Sequence, residues 1–152
     1  MASESGAAAT GGKGEAGEWV TASIGAEHYR TIVSARQHAL ALDEPAGVGG
    51  GDRGPTPYEA LLGALGGCTA MTVRMYADRK GWPLEAVRVH LRTGRSHQAD
   101  CVACEKAEVG PHRVERRLEL DGPLTEEQRT RLQQIADRCP VKQALQRGLQ
   151  VV

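Results

Sequence analysis

The spacing of apolar residues changes period along the chain. Between Trp19 and Asp43, the segments WVTASI, HYRTIVSA and HALALDE repeat β-branched and apolar residues at every second position. That is the alternation of strands with one covered face, and it predicts two or three antiparallel strands. EPAGVGGGDRGP follows, dense in Gly and Pro, and reads as a connection. The period then lengthens. Thr56, Pro57 and Glu59 supply an N-cap, a first-turn proline and the third member of a capping box. Gly81 ahead of Trp82-Pro83 supplies the stop. Within this helix Leu61, Leu65, Cys68, Thr72 and Met75 alternate steps of four and three, which places the Cys68 thiol on an inward apolar stripe. Gly63, Gly66 and Gly67 interrupt the same run, and each costs a helix about 1 kcal/mol relative to Ala.

Period two returns in LEAVRVHLR, with Val87, Val89 and Leu91 on one face, and in HRVERRLELDG, with Val114, Leu118 and Leu120 on one face. Both read as strands, joined by a cysteine-containing loop. Thr125 with Gln128 forms a second capping box and opens a helix through Arg138 whose stripe is Gln128, Leu132, Ile135 and Cys139. Pro140 stops it and starts a short helix to Arg147, closed by Gly148. The tail LQVV reads as a last edge strand. Residues 1–17 are Gly, Ala, Ser and Glu with little to bury, so they are expected to be disordered, with a single domain over 18–152.

Composition narrows the function classes. The 152 residues carry 19 basic and 19 acidic side chains with no long block of one sign, which argues against nucleic acid or an anionic membrane as partner. The N-terminus has no apolar signal core, and the longest uncharged run, Ala60 to Val73, is too short to span a bilayer. A soluble cytoplasmic protein is expected. In a reducing compartment four cysteines read as redox, catalytic or metal-binding groups.

Cys139 precedes Pro140, where the positive end of a new helix lowers a thiol pKa and raises its nucleophilicity. The alternative reading is that Cys68 and Cys139 are small buried hydrophobes. GPTPYEALLGALGGCTAM and LQQIADRCPVKQAL, some seventy residues apart, resemble the organic hydroperoxide reductase and OsmC-type proteins over about Tyr29 to Val152. The resemblance implies an α+β fold: an intertwined homodimer with antiparallel sheets around two long central helices. Gly63, Gly66 and Gly67 would then admit another backbone and leave a pocket about Cys68.

The activity implied by the resemblance is that of a two-cysteine peroxidase acting on organic hydroperoxides in oxidative stress. Cys68 attacks the peroxide and becomes a sulfenic acid, Cys139 resolves it to a disulfide, and an external dithiol reductant resets the pair. No cofactor is required. The family sets a glutamate and an arginine beside the thiol. Its glutamate falls ten residues before the first cysteine, where this chain has Tyr58; Glu59, nine before, is the candidate catalytic carboxylate, and its capping box explains it equally well. Arg36 and Arg53 are the arginine candidates by proximity. The other function class is a non-catalytic OsmC-like module that holds a metal or a small electrophile.

The loop RSHQADCVACEKAEVGPH adds His97, Cys101, Cys104 and His112, and similar Cys-x-x-Cys loops occur in a less characterised OsmC-like branch. Two thiolates at one turn, with His97 completing the set, offer soft ligands to Zn²⁺. The same pair is equally a redox couple exchanging with Cys68 and Cys139, or an inert loop. His28, His38 and His90 stand in strand patterns and read as surface or satisfied residues.

Overall fold

The computed structural model describes residues 18–96, 99–101 and 113–152; the N-terminal segment 1–17 lies outside them. Three strands come first: β1 (Val20–Ile24), β2 (Thr31–Ala35) and β3 (His38–Leu42). They form an antiparallel sheet in sequence order, with Val20 opposite Ala35 and Thr31 opposite Leu42. Ala35 and His38 close a two-residue hairpin in which Arg36 adopts a φ of 55°. The strand period is therefore correct, but the covered face it implies is open in this chain. Every residue of β1 is exposed, and so are Trp19 and Leu40.

The Gly/Pro connection is organised by one carboxylate. Asp43 is buried and accepts from the amides of Glu44 (2.8 Å), Gly51 (3.2 Å) and Arg53 (3.1 Å). Burial opposes its charge, but these amides and the nearby Arg53 hold the carboxyl below its ordinary range. Gly54 then passes so close to β3 that a Cβ would lie 2.1 Å from the Ala41 carbonyl oxygen. Only glycine fits there.

Helix α1 (Pro57–Lys80) begins as predicted. Thr56 caps it, the Glu59 amide donates to the Thr56 hydroxyl at 3.3 Å, and Glu59 accepts from the Thr56 amide at 2.8 Å. Gly81 in the left-handed region ends it. At 24 residues, α1 is about 36 Å long. Its buried stripe is Leu65, Thr69, Val73 and Ala77, at steps of four. The expected stripe is thus turned by about one position: Leu61 is 42% exposed and Met75 68% exposed, with Met71 alongside. The reason is that β4 and the second helix pack on the Thr69 and Val73 side, and among the described residues nothing covers Met71.

Strands β4 (Ala86–Thr93) and β5 (Val114–Asp121) pair antiparallel, with Val87 opposite Leu120 and Val89 opposite Leu118. Their other face carries ion pairs such as Arg88 to Glu119 (3.3 Å) and His90 to Glu119 (3.1 Å). Helix α2 (Glu126–Ala136) starts from the Thr125/Gln128 capping box, and α3 (Pro140–Arg147) follows. Val73, Ala77, Leu84, Leu124, Leu132 and Ala136 form the core where α1, β4–β5 and α2 meet. The expected strand in the tail does not form. Leu149, Val151 and Val152 are exposed and coil, since four residues without a ladder partner gain nothing from extension. Among the described residues no helix is long and apolar enough to cross a membrane.

Candidate active site

Two elements deliver two thiols to one place. Cys68 lies midway along α1 and is half-buried; Cys139 is fully buried. The break that positions Cys139 is local. Pro140 lacks an amide hydrogen and cannot continue α2, so α2 ends at Ala136 and Cys139 takes a non-helical N-cap conformation (φ −52°, ψ 123°) ahead of α3. The junction is clamped by Asp137, which accepts from Arg116 at 2.7 Å and from Lys142 at 2.6 Å. Arg116 shares the inner face of β5 with Leu118 and also donates to the Ala136 carbonyl at 3.0 Å.

Both cysteines are free, and the two thiols lie close enough for each to shift the other's ionisation. Burial raises the Cys68 thiol, as does its hydrogen bond to Cys139. Burial also opposes charge on Cys139, but the Cys68 hydrogen bond, the Lys142 amide, the Thr69 side chain and the Val141 amide together bring that thiol below its ordinary value. Of the two thiols, Cys139, at the positive end of α3, is therefore the more readily ionised. The Cys139 sulfur also contacts the Leu65 carbonyl at 4.0 Å.

Beside the pair opens a cavity of about 950 Å³, walled by Leu61, Leu65, Leu91 and Leu145 and edged by Arg116 and Lys142. Neither sulfur lines it. Leu65 and Lys142 do, and both touch Cys139.

The remaining expected residues are placed differently. Glu59 is tied into its capping box and exposed. Nine residues from Cys68, it stands on the opposite side of α1, about 13 Å along the axis. Arg53 pairs with Glu27 at 3.6 Å and Arg36 occupies the β2–β3 turn; among the described residues no hydrogen bond or ion pair links either to the sulfurs. Gly66 meets β4, since a Cβ there would lie 2.9 Å from Leu91 Cδ1, whereas a Cβ at Gly63 or Gly67 would meet nothing within 4 Å among the described residues. Cys101 is exposed; His97, Cys104 and His112 lie outside the described residues, and with them the zinc and redox readings of the loop. Among the described residues no three His, Cys, Asp or Glu side chains gather as a metal site.

One cluster was not found from the sequence. Tyr58 donates its hydroxyl to Asp100, and Arg95 pairs with the same carboxylate. The partners are 42 residues apart and meet only through the fold, so no local pattern announces them.

A family model described as OsmC-like protein matches residues 49–152. No curated protein sequence matches the chain. The fold is similar to that of an OsmC-like protein from Mycoplasma pneumoniae, with a TM-score of 0.68 and 20% identity over 87% of this chain and 89% of that one. It is similar to an organic hydroperoxide resistance protein OsmC from Legionella pneumophila (TM-score 0.62, 18% identity, 88% and 91% covered). A third similar structure is that of a Vibrio cholerae protein described as a putative organic hydroperoxide resistance protein, with captopril bound in one of its active sites (TM-score 0.56, 18% identity, 88% of each chain covered). With its α+β architecture, its antiparallel sheets and a family match over more than two thirds of its length, the chain belongs to the OsmC-like protein family.

Proposed function

We propose that this protein reduces organic hydroperoxides with Cys68 and Cys139 as a redox pair, working as a homodimer in a reducing compartment. The observation that carries the reading is the meeting of two free cysteines, Cys68 from the middle of α1 and Cys139 at the N-terminus of α3, beside a leucine-walled cavity. The description of similarly folded proteins as organic hydroperoxide resistance proteins supports it.

Cys68 is the sulfur that a peroxide meets, because Cys139 has no exposed surface. As Cys68 attacks the distal peroxide oxygen, its proton passes to the Cys139 thiolate. The O–O bond breaks, an S–O bond forms, and the alkoxide leaves and takes that proton to become the alcohol. Cys139, again a thiolate, attacks the Cys68 sulfenic acid; the disulfide forms and hydroxide departs. Overall, one thiol, one thiolate and ROOH give one disulfide, ROH and hydroxide. A dithiol then reduces the disulfide. Glu59 has no step in this scheme.

The exposed faces favour the dimer. Met71 and Met75 on α1, and Trp19, Val20 and Ile24 at β1, are large apolar side chains in water in the single chain, and a second copy would cover them.

Hydroperoxide consumption with excess dithiol tests the roles. Cys68→Ser abolishes it, and Cys139→Ser allows one oxidation per chain and then stops as a sulfenic or more oxidised acid. Equal residual turnover in both variants contradicts the assignment. Turnover in the double variant removes the enzyme reading and leaves the non-catalytic module.

A further inference from the structure

Tyr58 stands in the first turn of α1, and its ring is part of the wall of two cavities. One is the 950 Å³ space beside the thiols; the other, of about 410 Å³, lies toward Glu44, Glu59, Arg92 and Arg95. Leu62, Leu91 and Thr93 also line both, so these four side chains form the boundary between them. The two spaces differ in character. Among the described residues, the larger is lined by leucines and cations and by no carboxylate, whereas the smaller holds charges of both signs.

Of the four boundary residues, Tyr58 is held by a charged latch. Its hydroxyl donates to Asp100, whose carboxylate also accepts from Arg95, through Nε at 3.2 Å and through Nη2. The Asp100 side chain is 12% exposed and that of Arg95 30% exposed. A carboxylate so far out of water is stable only with its charge met and its oxygens bonded. The ring cannot swing away from the boundary without costing Asp100 one of those bonds.

We propose that Tyr58, pinned by Asp100 and Arg95, is a partition that determines substrate size. It confines a hydroperoxide to the larger cavity, against Leu65 and next to the sulfur pair. Releasing the ring joins the two spaces and admits bulkier chains. Asp100 and Arg95 are positioning residues, acting only through Tyr58. The substrate part of this inference rests on the peroxidase reading; the partition itself does not.

The test compares Tyr58→Ala, Tyr58→Phe and Asp100→Ala with the parent protein, all checked for fold by circular dichroism. The readout is the ratio of KM for a bulky aryl hydroperoxide to KM for tert-butyl hydroperoxide. Rejection by an apolar wall is worth about tenfold or more, so the ratio falls about tenfold in Tyr58→Ala and several-fold in Asp100→Ala. Tyr58→Phe keeps the ring but loses the latch and falls between the parent and Tyr58→Ala. In parallel, the unreactive alcohols of the same two sizes are titrated into Cys68→Ser protein with and without Tyr58→Ala. The bulky alcohol gains about tenfold in affinity relative to the small one. If the alcohols discriminate this way while the parent consumes no hydroperoxide, the partition stands and the peroxidase reading fails. Unchanged size ratios for the alcohols in folded Cys68→Ser protein carrying Tyr58→Ala overturn the partition.

Discussion

Gly67→Ala separates a chain that is complete alone from one that needs a second copy. Gly67 lies inside α1, and a Cβ built there meets nothing within 4 Å in this chain. Were that face solvated in the native protein, the alanine would stabilise the helix by about 1 kcal/mol. That would raise Tm by roughly 2–4 °C for a chain of this size. The homodimer account gives the opposite sign. Gly67 shares its face of α1 with Ala64, Met71 and Met75, and Met71 and Met75 are 67% and 68% exposed in the single chain. With another backbone against that stripe, an added methyl overpacks the interface at about 1–3 kcal/mol, leaving a net loss of up to about 2 kcal/mol. Gly66→Ala is the control, since its Cβ meets Leu91 of the same chain at 2.9 Å and its effect must not depend on association. Thermal unfolding is followed at several protein concentrations beside light scattering. The account predicts a lower Tm for Gly67→Ala, most marked on dilution, and an unaltered concentration dependence for Gly66→Ala. A Gly67→Ala protein that is more stable at every concentration and scatters as a monomer, like its parent, refutes the reasoning.

Three further outcomes follow from named contacts. Leu132 is fully buried in the core, so Leu132→Ala lowers unfolding free energy by about 2–5 kcal/mol in urea titrations; a change below 1 kcal/mol contradicts the core assignment. The Asp43 carboxyl is depressed by its three amide bonds and that of Asp137 by Lys142 and Arg116. Their contribution is therefore complete above the ordinary value of 3.8 and is lost as pH falls through the lower folded values. Acid unfolding of Asp43→Asn must accordingly show a shallower loss of stability below pH 3.8 than the parent, and parallel curves exclude this role. The depressed Cys139 thiol predicts that hydroperoxide-driven thiol loss levels off with rising pH before the ordinary thiol value of 9.0; a rate still climbing through that value contradicts the lowering.

Local chemistry made much of the fold legible. Both capping boxes, Gly81, Pro140 and Gly148 act within a few residues of themselves, and the helix ends fall where those residues place them except that α2 stops at Ala136 instead of Arg138. Strand existence follows from the period-two runs, whose pairing partners lie in the same face pattern. Burial was less legible because it depends on what covers a face. The α1 stripe turned by one position because α2 and β4 pack beside Thr69 and Val73, and the β1 face that alternates like a covered one is bare in a single chain. The cysteines were visible as a pair on helix signals, but the lowering of the Cys139 thiol needs the Val141 and Lys142 amides in their three-dimensional places. Glu59 was ambiguous in sequence because one residue type serves both a cap and a catalytic acid, and the fold uses it as a cap. The Tyr58, Asp100 and Arg95 cluster joins segments 42 residues apart and has no sequence signature.

The central claim, that Cys68 and Cys139 are a working redox pair, is tested most directly by adding one equivalent of an organic hydroperoxide to fully reduced protein without any dithiol. Free thiols are counted and the product is mapped by mass spectrometry. The account predicts the loss of two thiols per chain, one equivalent of alcohol and a single Cys68–Cys139 linkage. Thiols that survive the peroxide, or a linkage that leaves out either of these two cysteines, would contradict it.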